Sequence, residues 1–330
     1  MNGITLDCPA TRRQVLAAGL ATGVTLLVSC DSDKQAAAGW SFVDDRNRVV
    51  KLRKRPTRIV AYTSAAAALH HWGVTPVGVF GAAPQEDPTL ADFPWHESEI
   101  VGSVYGEVDT AKLLALKADL IVSRWYPPPR DTPVFGFKDQ AQEKRTASRV
   151  PIVGLNGKTI ATEQIGRFGD LARALGVDTG AGPITRAHAA FDRAAKRLSR
   201  VAKGKANLRI LAISGDQSTM YVAKLVDFGE LTFYKRQGVP LVSAETPDPY
   251  WDRFGWGHAA KYPADGILYD SRPIALPVKT VKGIPAFAAL PAVQANQIAA
   301  WLPDPPPSYQ AHTVAMNELA TTIEGWRRVT

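Results

Sequence analysis

The sequence predicts an α/β protein of two lobes joined by one long helix. Three observations carry that expectation. Short apolar runs alternate with amphipathic stretches from Arg58 to Leu175, the pattern of a mostly parallel sheet covered by helices. From Pro183 a single helical periodicity then holds for about 20 residues. Beyond it, the alternation of strand-like and helix-like segments restarts at Leu208. The expected division is an N-terminal α/β lobe over 40–182, a linking helix over 183–204 and a C-terminal α/β lobe over 205–330.

Each element has its own signal. Trp40 to Leu52 alternates around Asp45-Arg46-Asn47 and reads as a hairpin. Arg58–Thr63 is an apolar strand, Ser64 is placed to cap a helix over Ala65–Trp72, and Gly73 ends it. Val77–Phe80 is a strand. Asp109 precedes a helix reaching Lys117, and Leu120–Ser123 follows as a strand. Ile152–Leu155 is a strand and Ile160–Leu175 an amphipathic helix. In the linking helix Ile184, Ala187, Phe191, Ala194, Leu198 and Val201 share one face, Pro183 suits its first turn, and Gly204 ends it. Its rod is about 30 Å long at 1.5 Å per residue. Leu208–Ser214 and Gly266–Asp270 are strands, Gly255–Tyr262 a helix between them, and Tyr309–Arg327 a closing helix. Tyr250–Arg253 reads as a loop, and Pro303–Pro307 as a rigid turn.

The N-terminus carries an export signal. Arg12-Arg13 precede an apolar run from Val15 to Ser29, shorter than the roughly 20 residues a bilayer span needs. A basic start, a short apolar centre and small residues make a signal peptide over 1–29, and the arginine pair fits the twin-arginine type. Leu27-Val28-Ser29-Cys30 resembles a lipobox, which makes Cys30 the lipidated first residue of the mature protein and 30–39 a flexible tether. The expected location is extracytoplasmic, held at the cell membrane by lipid. The two cysteines are Cys8 and Cys30, so no disulfide is expected. The formal charge of +8 is dispersed, and export argues against a nucleic-acid partner.

No motif for covalent chemistry stands out. Gly157-Lys158-Thr159 lacks the earlier glycine of a phosphate-binding loop, since Ile152 holds that place, and it reads as a strand-to-helix turn. Gly102-Ser-Val-Tyr-Gly106 puts its serine one place early for a nucleophile elbow. The six histidines have no zinc-protease spacing. Neither a catalytic residue, a resident metal nor a cofactor is expected. Aromatic and arginine residues are more informative. Tyr62, and Arg124-Trp125-Tyr126, stand at the carboxyl ends of predicted strands, where ligands of open parallel sheets bind. Trp251 and Arg253, with Arg272 after Asp270, offer a matching set in the second half. Flat apolar faces with cations suit a bulky, partly anionic ligand; core aromatics with snorkelling arginines are the plainer alternative.

Four stretches together resemble one family. They are Arg58–Ala61 with Leu69–Val79, Val108–Val122 (VDTAKLLALKADLIV), Tyr262–Asp270 (YPADGILYD) and Leu290–Trp301 (LPAVQANQIAAW). In this order they resemble the type III periplasmic-binding-protein family, the substrate-binding lipoproteins of iron-siderophore and cobalamin ABC importers. The resemblance implies two Rossmann-like lobes, a shallow cleft and a stiff linking helix with little hinge motion. It implies a monomeric binding protein, not an enzyme, that takes a ferric siderophore and passes it to a permease with its ATPase. Iron would come only inside the chelate. Ligand contacts implied by the family fall on Tyr126 and Trp251, and the full candidate set is Tyr62, Tyr105, Arg124, Trp125, Tyr126, Tyr221, Trp251, Arg253 and Arg272. An arginine used by some members falls near Tyr105. The glutamates that meet the permease fall on Ala111 and Gly257, leaving Glu107, Asp109 and Asp252 as substitutes. Cobalamin or haem binding, and a scavenger or regulatory lipoprotein uncoupled from a permease, stay open as alternatives.

Overall fold

Residues 39–127 and 133–330 are described in the computed structural model; the expected signal peptide, lipobox and lipidated Cys30 lie outside them. The hairpin pairs β1 (Trp40–Val43) with β2 (Val49–Leu52) antiparallel. Its turn needs a left-handed residue, and Asn47 supplies it at φ 59°. The Asp44 carboxylate fixes the turn by accepting from the backbone N–H groups of Arg46, Arg48 and Gly154.

Then follow β3 (Ile59–Tyr62), α1 (Thr63–His71), β4 (Gly78–Phe80), β5 (Glu99–Gly102), α2 (Thr110–Ala115), β6 (Leu120–Trp125), α3 (Gln140–Ala147), β7 (Ile152–Asn156) and α4 (Ala161–Ala174). The five strands from β3 to β7 form one sheet in the order β5-β4-β3-β6-β7, parallel throughout. Asp109 caps α2 as expected, accepting from Lys112 N at 3.0 Å. The expected Ser64 cap is not formed. The helix starts two residues earlier, at Thr63, Tyr62 occupies the cap position without a side-chain bond, and Ser64 is buried inside the first turn.

The linking helix α5 runs from Gly182 to Gly204 and buries Phe191, Ala194, Leu198 and Ala202. Beyond it lie β8 (Ile210–Gly215), β9 (Thr219–Ala223), α6 (Gly229–Arg236), β10 (Leu241–Val242), β11 (Trp251–Gly255), β12 (Gly266–Asp270), the short α7 (Val278–Val281), α8 (Pro285–Ala288) and α9 (Pro291–Gln294), β13 (Ile298–Trp301) and α10 (Tyr309–Gly325). This second sheet is mixed. In the order β11-β9-β8-β12-β13, the first two strands are antiparallel additions to a parallel core, and β10 pairs with β8. Trp251–Arg253, expected in a loop, therefore belongs to an edge strand. The Gly255–Tyr262 segment is not a regular helix either: it makes 3₁₀ turns over Trp256–Lys261 that break at His258.

The lobes are joined by more than the rod. One apolar cluster runs from Leu69 in α1 and Trp72 just after it through Ile165 and Phe168 in α4, Phe191 and Leu198 in α5 and Leu231 in α6 to Met316 and Ile323 in α10. Gly229, at the start of α6, sits so close to Thr159 O and the Gln164 amide that a Cβ there would collide with both. Lys158 and Asp227 close the same seam with a 2.8 Å ion pair. Direct packing of this kind restrains lobe separation more firmly than a single helix does.

Candidate functional site

Every strand of the first sheet points its carboxyl end the same way, so the side chains after β3 and β6 meet there. Tyr62 ends β3, and Tyr126 directly follows β6. Phe135 stands between them, with ring centroids 5.1 Å from Tyr62 and 5.4 Å from Tyr126. The next residue must be glycine: Gly136 has φ 91°, and the Phe80 and Tyr62 rings occupy the space of a side chain. Tyr105 packs edge-on against Phe135 at 5.3 Å and is 47% exposed.

The second lobe continues this row. Tyr126 meets Tyr250 at 6.3 Å, Tyr250 meets Phe228 at 5.7 Å, and Phe228 meets Trp251 at 4.9 Å and Trp301 at 5.4 Å. Trp251 then meets Tyr221 at 6.1 Å, across the β9–β11 pair. Tyr250, Phe228 and Trp301 are buried and support the row, whereas Tyr62, Tyr126, Phe135, Tyr221 and Trp251 are partly exposed along it. Tyr250 is held at φ 68°, an unusual conformation for a bulky residue. Its N–H is fixed by the Asp227 carboxylate at 2.9 Å.

Charged groups lie beneath and beside the rings. Arg124, 2% exposed, donates from Nη2 to Gln164 Oε1 at 2.6 Å and to Gly157 O at 3.2 Å, and lies 3.5 Å from Asp304 Oδ1. The Tyr126 hydroxyl donates to the other Asp304 oxygen at 3.1 Å. Desolvation keeps that phenol protonated by pushing its pKa up. Glu230 lies behind Asp304, accepting from Trp301 Nε1 at 3.2 Å and from Asp304 N at 3.4 Å. Desolvation first, and the neighbouring Asp304 second, push Glu230 up to about 8, so it is mostly a neutral acid at pH 7. Desolvation, with Arg124 adding to it, pulls buried His312 down to about 3.

These two groups make stability depend on pH in opposite directions. The folded state holds the Glu230 proton more tightly than the unfolded chain, whose value is near 4.5. That stabilisation is complete below about pH 4.5 and is lost as pH rises to about 8. Neutral His312 stabilises above about pH 6.5, and its contribution is lost as pH falls toward 3. Glu230→Gln is therefore expected to flatten the decline in Tm between about pH 5 and 8 and to leave the acid side unchanged. Thermal melts of both proteins across that range check this; an unaltered alkaline decline in the variant would assign it to another group.

Of the residues picked from the sequence, Tyr62, Tyr105, Tyr126, Tyr221 and Trp251 come together in one row. Arg272 stands beside it but is held by Asp270, with Nη2 2.7 Å and Nε 3.0 Å from that carboxylate. Arg253 is exposed on β11, opposite Tyr221 in the register. Trp125 does not join: β6 runs on through it, and strand alternation turns its ring to the Val60–Phe80–Ile121 side of the sheet. Arg124 lies under the row, engaged with its neighbours rather than presented on the surface. Phe135, Phe228, Trp301, Glu230, Asp270 and Asp304 are additions that sequence reading misses.

Among the acidic groups, Glu107 and Asp109 are exposed, while Asp252 is engaged by Lys261 Nζ at 2.6 Å and the Tyr262 hydroxyl at 2.7 Å. A further depression of about 330 Å³ lies between α1, residues 88–93 and α10, and shares only Trp301 with the aromatic row.

Comparisons with known proteins agree with this architecture. Neither a family model nor a curated protein matches the chain. Among solved structures it is similar to DesE, a ferric-siderophore receptor protein from Streptomyces coelicolor, at 30% identity over 88% of this chain and 100% of that one, with a TM-score of 0.82. Two others share the fold. The siderophore periplasmic binding protein from the fuscachelin gene cluster of Thermobifida fusca matches at 18% identity over 82% of this chain and 97% of its own, with a TM-score of 0.60. FhuD from Vibrio cholerae, solved with Fe3+–Desferal, matches at 17% identity over 82% and 98%, with a TM-score of 0.59. The identity to DesE along that protein's whole length, on a frame of two sheets bridged by one long helix, establishes that the chain belongs to the type III periplasmic-binding-protein family, whose members bind substrates for transport and are not enzymes.

Proposed function

We propose that this protein captures a ferric siderophore on the aromatic row between its lobes and delivers it to an ABC permease and its ATPase. The observation that carries the reading is the row itself, unbroken from Tyr105 in the first lobe to Tyr221 in the second. A ferric chelate is a compact body with a largely apolar rim, and edge-on rings give it apolar contact without demanding one geometry. Tyr62, Tyr105, Tyr126, Tyr221 and Trp251 supply that contact, Arg253 stands at the exposed edge, and Arg272 presents the face of its guanidinium that Asp270 leaves free. Trp125 and Arg124 act from behind, through the sheet and the floor.

Charge narrows the class of chelate. Arg124 and Arg272 each already face a carboxylate. A trianionic tricatecholate would find only the single exposed Arg253 to balance it here, whereas a trihydroxamate complex near neutrality needs no cation. Iron enters as cargo inside the chelate; among the described residues no three His, Cys, Asp or Glu side chains are grouped to hold a metal ion.

Cys30 carries the lipid, residues 30–39 form the tether, and the protein works as a monomer outside the cytoplasm. Glu107, Asp109 and Asp252 supply acidic groups for the permease. Among these, Asp252 would have to give up Lys261 to take part.

Titration with ferric trihydroxamate and ferric tricatecholate complexes, read by tryptophan fluorescence, tests this. Saturable quenching by the trihydroxamate, with weaker binding of the tricatecholate, is expected, because Trp251 and Trp301 both belong to the row. No quenching by either complex would reject the reading, and preference for the tricatecholate would reject the charge argument.

A further inference from the structure

The net charge, expected from the sequence to be dispersed, instead gathers largely on one helix. Over its 23 residues α5 holds six cations against one carboxylate, Asp192, giving +5 of the chain's formal +8. Arg186, Arg193, Lys196, Arg200 and Lys203 are all exposed. At 100° per residue they fall within an arc of about 100°, directly opposite the buried Phe191, Ala194, Leu198 and Ala202. Their stripe is straight and about 25 Å long. Among the described residues none of the five has a carboxylate partner; the helix's ion pairs are Arg197–Glu324 and His188–Asp192.

Topology places this stripe on the far side from the aromatic row. In the first lobe the row stands where strands end, and in the second Tyr221 pairs with Ser214 near the end of β8. Helix α4 follows β7 and runs back along the sheet, so α5 begins at the edge where strands start, and it ends just before β8 starts. The same edge carries exposed Arg53, Lys54 and Arg55 on the β2–β3 connection, with the Arg55 guanidinium over Gly176 beyond the end of α4. The chain also enters the described fold here, since Trp40 Nε1 donates to Ala174 O at the last turn of α4.

We propose that this edge, led by the solvent face of α5, docks on an anionic phospholipid bilayer and holds the aromatic row facing outward for capture. A straight row of unpaired cations matches a planar sheet of negative headgroups, and each cation brought within a Debye length, about 8 Å at 0.15 M salt, adds to the attraction. The choice of a bilayer over other polyanions rests on the reading of Cys30 as a lipid anchor, because a tether entering at this edge delivers this edge to the membrane. The siderophore reading is not needed for it.

The test is co-sedimentation of the full-length, unlipidated chain with vesicles of phosphatidylcholine alone or mixed equally with phosphatidylglycerol. At about 0.15 M salt the anionic vesicles are expected to bind at least about tenfold more tightly than the neutral ones, and about 1 M salt is expected to abolish the preference. The variant Arg186→Gln/Arg193→Gln/Lys196→Gln/Arg200→Gln/Lys203→Gln is expected to lose most of that ratio while keeping its thermal melt and its trihydroxamate titration. Both chains carry the same apolar N-terminus, so its contribution cancels in the ratio. Equal binding to both vesicles, or an unchanged ratio in a folded variant, would overturn the proposal. So would soluble polyphosphate binding as tightly as the vesicles, which would name a different occupant. The mass of the Cys30 peptide from membranes tests the anchor separately.

Discussion

The double variant Glu230→Gln/Asp304→Asn is expected to unfold with about 3–5 kcal/mol less free energy than the parent, while each single substitution costs about 1 kcal/mol or less. The asymmetry follows from how Arg124 is compensated. Its guanidinium is buried and cannot lose its proton to escape the low dielectric. In the parent the Asp304 carboxylate, 3.5 Å away, balances it and Glu230 stays mostly neutral, held so by desolvation first and by Asp304 second. Removing the Asp304 charge removes the second cause of the Glu230 shift and leaves desolvation opposed by Arg124, and Glu230 is then expected to ionise and take over. Removing Glu230 alone leaves Asp304 in place. Only the double variant strands a buried cation, the arrangement that costs most. Urea unfolding of the four proteins at pH 7 gives the coupling directly. Additive single effects would show that Arg124 is stabilised by its bonds to Gln164 and Gly157 rather than by the shared carboxylate pair.

Periodicity makes much of the fold legible in the sequence. The β3, β6 and β12 strands are apolar runs bounded by polar turns, α2 has its Asp109 cap, and the buried stripe of α5 repeats with a helical period. The failures have particular causes. In β13, Ile298-Ala-Ala-Trp301, the two central alanines have little strand preference, so the segment takes its structure from pairing with β12. In β11 partial exposure on both faces removes the alternation that would mark a strand. β6 outlasts its apolar run by two residues, and one of them is the buried Arg124. Reading the strand as over at Ser123 hid the parity that separates Tyr126 from Trp125.

The site was readable where it follows strand ends and unreadable where it depends on distant contacts. Tyr62 and Tyr126 are placed by their strands. Asp304 sits in a proline-rich turn, 178 residues from the tyrosine it accepts from, and no local pattern announces that bond. Phe135, Phe228 and Tyr250 resemble ordinary core aromatics in sequence. What sets them in the row is interlobe packing, including the left-handed backbone of Tyr250 and the close approach of Gly229 to Thr159.

Trp251→Ala is expected to weaken binding of a ferric trihydroxamate about 30-fold to 1,000-fold, a loss of about 2–4 kcal/mol. Trp251 is the point where the row is both broad and accessible. Its indole is partly exposed, yet it packs against Phe228 at 4.9 Å and against Trp301 and Tyr221 at 6.1 Å each. A ring anchored on three sides loses little freedom when a ligand covers the fourth, and that makes a side chain dominate an interface. Alanine leaves the ligand facing a gap that the buried Phe228 and Trp301 cannot move to fill. The site lies on an edge strand rather than in the core, so the fold should survive, and a thermal melt within a few degrees of the parent is the control. Tyr126→Phe is the matching contrast. It keeps the ring and removes only the hydroxyl that donates to Asp304, so affinity should change by less than about fivefold, about 1 kcal/mol, while stability falls by roughly the value of one hydrogen bond to a charged acceptor, about 1.5–3 kcal/mol. A Trp251→Ala protein that binds within about threefold of the parent would remove the indole from the binding surface and move the ligand elsewhere between the lobes.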